Sequence, residues 1–110
     1  MSVRENYLDA EEFMKAARES RRSTVIIQNA FKAVVKLVEA HAEAREKRIP
    51  RNHHQVVRYA HEVRLGREVG ALLDMYLTSY RGQDGGKAKE ALELAGKVFK
   101  RLVPDVKTRL

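Results

Sequence analysis

The sequence predicts an all-α protein, an antiparallel four-helix up-down bundle in one domain over residues 1–110. Apolar residues recur at steps of three and four through most of the chain. Sustained apolar–polar alternation is missing, as is an Asn-Gly hairpin turn. Pro50, the glycines of "YRGQDGGK" (80–87) and Pro104 cut the helical pattern into long pieces.

The first helix is expected from Asn6 or Asp9 to Ser20. Asp9 and Glu12 stand at capping-box spacing, and the apolar stripe is Tyr7, Ala10, Phe13, Met14 and Ala17. The boundary at "ESRRST" (19–24) holds neither Gly nor Pro, so a tight kink and a full break are both open. The second helix, Ser23 to about Lys47, carries Ile26, Ile27, Ala30, Phe31, Val34, Val35, Val38 and Ala42 on one face. Phe31, Val34 and Val38 are therefore expected in the core. Pro50 ends this helix by pushing Ile49 out of the α region.

Asn52 reads as an N-cap for a third helix from about His53 to Tyr80. That helix carries two stripes: Val56, Ala60 and Val63, then Leu65, Val69, Leu72, Leu73, Tyr76 and Tyr80. The phase slips at Gly66, where a bend is expected, and Gly66 with Gly70 would allow close approach. Two apolar faces on one helix suggest a homodimer seam. The fourth helix is expected from about Lys87 to Val103, stopped by Pro104, with a frayed tail at 104–110 and a core spanning about 7–103.

Composition narrows the function. With no Cys there is no disulfide framework, thiolate metal site or cysteine nucleophile. No apolar run approaches the ~20 residues of a membrane span, and "MSVRENYLDAEEF" lacks a signal-peptide core. A soluble, cytoplasmic protein is expected. The net charge is +7, and it is polarised. Residues 1–14 hold one Arg against four acids, whereas 45–67 hold seven Lys and Arg against Glu46 and Glu62. Such a balance favours acidic partners, nucleic acid above all.

The segment "EKRIPRNHHQVVRYAHEV" (46–63) concentrates the chemistry. A helix start offers free amides and positive partial charge, and Arg48, Arg51 and Arg58 surround it with His53 and His54. These five residues are the candidate anion and nucleic-acid contacts. No carboxylate lies between Arg48 and Arg58 to orient a histidine as a general base. The catalytic alternative, metal-independent RNA cleavage, would use Arg48 on the phosphate and His53 or His54 for the proton. His54 and His61 are seven apart, unlike the three- or four-residue spacing of helical zinc ligands, so no metal is expected. His61 fits equally a residue hydrogen-bonded within the bundle. No cofactor motif is present, and Tyr7, Tyr59, Tyr76 and Tyr80 form no RNA-reading array in the sequence.

Three further stretches belong together: "IIQNAFKAVVKLVEAH" (26–41), "IPRNHHQVV" (49–57) and "MYLTSYRGQ" (75–83). In order and spacing they resemble the second helix, the Pro-x-x-His opening of the third helix and the Tyr-rich end of that helix in the HEPN domain family. The resemblance covers about residues 7–103. It implies a small helical bundle that pairs with itself or with a nucleotidyltransferase-type protein, in some members as part of a toxin–antitoxin system. Ribonuclease members carry an Arg followed, four to six residues on, by a His late in the chain. After Arg81 no His follows, and the literal match is Arg48 with His53 or His54. The resemblance therefore implies a non-catalytic HEPN-like interaction module, with a ribonuclease or toxin component as the alternative.

Overall fold

The computed structural model describes residues 2–82 and 86–110. They form five α-helices and, among the described residues, no strand: α1 (Val3–Glu19), α2 (Ser23–Ala44), α3 (His53–Glu62), α4 (Gly66–Ser79) and α5 (Ala88–Lys107). Residues 83–85 of the expected "YRGQDGGK" turn lie outside the described residues. No helix is long and apolar enough to cross a membrane among the described residues.

The 22-residue α2 is the spine, and each of the other four helices packs on it. Its apolar residues are not confined to the expected stripe. Ala33, Leu37, Ala40 and Ala44 are buried beside Phe31, Val34 and Val38. A helix enclosed by its neighbours has almost no solvent side to keep polar. Alanines on α2 are matched by Ala10 and Ala17 on α1 and Ala91 and Ala95 on α5, all fully buried. Small side chains at these positions allow helices to approach closely.

Helices α1 and α2 are separate. Ser20 is extended (ψ 148°), its N–H closing the last turn on the Ala16 carbonyl at 3.1 Å. The start of α1 lies earlier than expected, because the N-cap is Ser2 and not Asp9. Ser2 Oγ accepts from the Glu5 amide and donates to Glu5 Oε1, both at 3.1 Å.

The second helix ends at Ala44, ahead of Pro50, in a Schellman turn. The Lys47 amide donates to the Ala42 carbonyl at 2.8 Å and the Glu46 amide to Glu43 at 2.9 Å. The expected third helix is divided into α3 and α4 by the same device. The Leu65 amide donates to the Ala60 carbonyl at 2.7 Å and the Arg64 amide to His61 at 3.1 Å. Both turns need a left-handed residue, and both use a charged one where glycine is usual: Glu46 at φ 57° and Arg64 at φ 65°. The bundle therefore has five helices among the described residues, and the phase slip near Gly66 is a full break between two helices at residues 63–65. Val56 and Ala60 are buried on α3, and Val69 and Leu72 on α4. The two stripes read as one helix with two faces are two helices with one face each, which accounts for them within a single chain. A Cβ on Gly66 would collide with the His61 ring, whereas one on Gly70 would meet nothing within 4 Å. Of these two, only Gly66 is a close-approach glycine.

The last helix runs through Pro104 to Lys107. Proline removes the bond its amide would make to the Lys100 carbonyl, but both residues are exposed and water can serve that carbonyl. Beyond it Val106 is fully buried, which anchors the final turn. The segment expected to fray is thus helical as far as Lys107.

Two outcomes follow in thermal melts. Val34 is fully buried, so Val34→Asp should abolish cooperative folding, because an unpaired buried carboxylate is very costly. Glu46→Gly relieves a left-handed side chain and should raise stability by about 1 kcal/mol, several degrees in Tm. An unchanged or lowered Tm would contradict the Schellman assignment.

Candidate nucleic-acid interface

The start of α3 is fixed by its own side chains. Asn52 Oδ1 accepts from the Gln55 amide at 2.9 Å, as the sequence led us to expect, and Gln55 Oε1 accepts from the Arg51 amide at 2.8 Å. This reciprocal cap orients Gln55 along the α2–α3 connection. Between that connection and α3 lies an open groove of about 360 Å³, lined by Lys47, Arg48, Ile49, Pro50, Gln55, Arg58, Tyr59 and Glu62. Arg51 is exposed at the helix start. None of Arg48, Arg51 and Arg58 makes an ion pair among the described residues. Their charge is left to solvent and to whatever docks there.

The histidines do not join this groove. His53 packs edge-on to Phe31 (centroids 5.0 Å, 90°) and to Tyr76 (5.6 Å, 86°). It lines a second groove of about 220 Å³ with Phe13, Phe31, Lys32, Val35 and Tyr76. His54 is exposed and lines neither. Arg48 and His53, the residues of the catalytic alternative, thus line different grooves. Within the second groove Phe31 and Tyr76 lie 4.5 Å apart at 32°, and Tyr76 meets Tyr80 edge-on at 5.0 Å. The sequence shows no aromatic array because residues 31, 53 and 76 come from three helices.

A third cluster went unread in the sequence. His41, 1% exposed on α2, has both ring nitrogens bonded: Nδ1 lies 2.7 Å from Tyr59 Oη of α3, and Nε2 lies 3.0 Å from Asp105 Oδ2 of α5. The carboxylate only accepts, so the bridge is complete with Nε2–H donating to Asp105 and the Tyr59 hydroxyl donating to Nδ1. Tyr59 also lines the basic groove, so the bridge reaches its wall. Burial, chiefly, pushes the Tyr59 hydroxyl above its ordinary pKa, Glu62 and Asp105 add to this, and the Arg45 guanidinium opposes it. Over the bridge is a cavity of about 220 Å³ bordered by Arg45, Glu62, Arg64, Arg101 and Asp105. It sits at the carbonyl ends of α2 and α3, whose partial negative charge suits the arginines as helix-end partners and disfavours a bound anion. The single available signal was an isolated His on an otherwise apolar face; its partners at 59 and 105 follow no sequence spacing.

No group of three or more His, Asp or Glu side chains is placed to hold a metal ion among the described residues. His61 is exposed and makes no hydrogen bond among the described residues, in place of the bonded position within the bundle that the sequence allowed; its ring lies against Gly66.

Tyr76 supplies a pH-dependent test. Its hydroxyl bonds Tyr80 Oη at 2.9 Å. Burial first, then that hydrogen bond and the neighbouring charge, push its pKa up to about 12 from 10.0. A pKa raised on folding stabilises fully below the unfolded value and fades as pH climbs through the folded one. Stability should therefore fall between about pH 10 and 12. Tyr80→Phe should bring the Tyr76 transition, followed by phenolate absorbance, down from about 12; no change would show that the Tyr80 bond plays no part. No known family model, curated protein or solved structure matches the chain.

Proposed function

We propose that this protein is a non-catalytic helical module that binds nucleic acid through the groove at the start of α3. The observation that carries this reading is the set of three exposed, unpaired guanidinium groups near the start of α3: Arg48 and Arg58 line the open groove, and Arg51 is exposed at the helix start. Nucleic acid presents phosphates in series, and neutralising them releases counterions. Guanidinium groups suit them by their bidentate geometry. Affinity is then electrostatic and weakly sequence-dependent, since phosphate contacts position a chain without reading it.

Catalysis is not part of this reading. General acid–base work on the phosphate held by Arg48 needs a proton carrier in the same groove, and His53 is engaged elsewhere. His54 has no hydrogen-bonded partner among the described residues to orient it. A HEPN-like homodimer, or a complex with a nucleotidyltransferase-type partner, is compatible with the basic groove and rests on the resemblance alone.

The test is binding of short RNA and DNA across a salt series. The parent should lose affinity steeply with salt. Arg48→Gln, Arg51→Gln and Arg58→Gln together should weaken binding and flatten the log–log slope by roughly 0.7–0.9 per phosphate contact removed. A triple variant that binds as well as the parent would refute the groove. RNA cleavage in chelator that disappears with His53→Ala or His54→Ala would establish the ribonuclease instead.

A further inference from the structure

We infer that the aromatic groove on the far side of the α3 start takes an unstacked nucleobase, so that the module selects single strands over duplexes. This rests on the proposed phosphate contacts. The groove is walled by Phe31 of α2, His53 of α3 and Tyr76 of α4, with Phe13 of α1 at its edge. A soluble bundle would bury such rings together. Here Phe31 is 1% exposed and forms the floor, while His53 is exposed and Tyr76 half-buried. The result is an open aromatic slot of about 220 Å³, room for one ring system and not for a base pair within its stack.

Two observations decide the occupant. The first is continuity. His53 is two residues from Arg51, so the slot and the basic groove flank the same helix start. On α3, Gln55, Arg58, Tyr59 and Glu62 face the basic groove while His53 faces the slot. A chain crossing the helix start past Arg51 leaves its phosphates on one side and can drop a base into the other. The second is charge. The rim carries one exposed ammonium, Lys32; the charge of Lys36 beside it is met by Glu39 at 3.8 Å. An exposed ammonium beside the accessible rings of His53 and Tyr76 matches a ligand that is apolar in its ring and anionic beside it. Single strands are held in this way, by backbone charge and base stacking together. The slot offers few polar atoms to a base edge, so little discrimination among bases is expected.

The experiment compares fluorescein-labelled oligothymidylate, an abasic strand of equal length and charge, and a duplex of that length, each titrated with the intact protein at low salt. The single strand should bind about five-fold or more tighter than the abasic strand, the yield of stacking one base, and tighter than the duplex. His53→Ala should narrow the gap between base-bearing and abasic strands, with its melt checked against the parent. The Arg48, Arg51 and Arg58 variant should weaken both strands alike. Equal affinity for base-bearing and abasic strands overturns the slot and leaves the basic groove standing. A gap that persists fully in His53→Ala also overturns it, because the base then sits elsewhere. No binding of any strand refutes the basic groove and the slot together. A dimer whose assembly is abolished by His53→Ala would assign the slot to protein and overturn the inference.

Discussion

The hydrogen-bonded bridge Tyr59–His41–Asp105 is the interaction on which the arrangement of the functional surface depends. An imidazole buried in an apolar helix interface is costly unless both nitrogens are bonded. His41 meets that condition only with α3 and α5 in place together, since its two partners come one from each. The Asp105 side chain stays 64% exposed while one oxygen reaches in to His41. The bridge therefore draws the final turn of α5 past Pro104. It also fixes the rotation of a ten-residue helix that has little core of its own. With Tyr59 turned inward, Gln55 and Arg58 fall on the basic groove and His53 falls on the aromatic slot.

That geometry separates groups that proximity in sequence had placed together. Arg48, His53 and His54 look like one constellation along the chain, yet a helix start turns neighbouring side chains to different sides. The basic groove keeps the guanidinium groups and loses the histidines. His53 then sits among rings, where an edge-on aromatic partner is worth more than solvent exposure alone would suggest. Acidic residues cluster on α1 and basic ones from the end of α2 to α4, so the molecule is electrically polar as well.

Much of the fold was legible. The face of α2, the burial of Phe31, Val34 and Val38, and the Asn52 cap follow from periodicity and local hydrogen bonding, which act over a few residues. The two Schellman turns were hidden because Glu46 and Arg64 occupy positions where glycine is the usual signal. Without that signal, one slipping stripe reads as a bent helix. Pro104 misled for the opposite reason: a strong local breaker was overridden by the burial of Val106 and the pull of His41 on Asp105. At the site, the arginines could be read because charge is visible in sequence. The His41 bridge and the aromatic slot join residues 18 to 64 positions apart along the chain, or on three helices, and only packing brings them together.

The bridge can be tested directly through the nitrogen resonances of His41 in the folded protein above neutral pH. The expected result is a single fixed tautomer, protonated at Nε2 and unprotonated at Nδ1, with a slowly exchanging Nε2 proton. A freely averaging imidazole, or the Nδ1-protonated neutral tautomer, would contradict the bridge and with it the placement of α3 that sets both grooves.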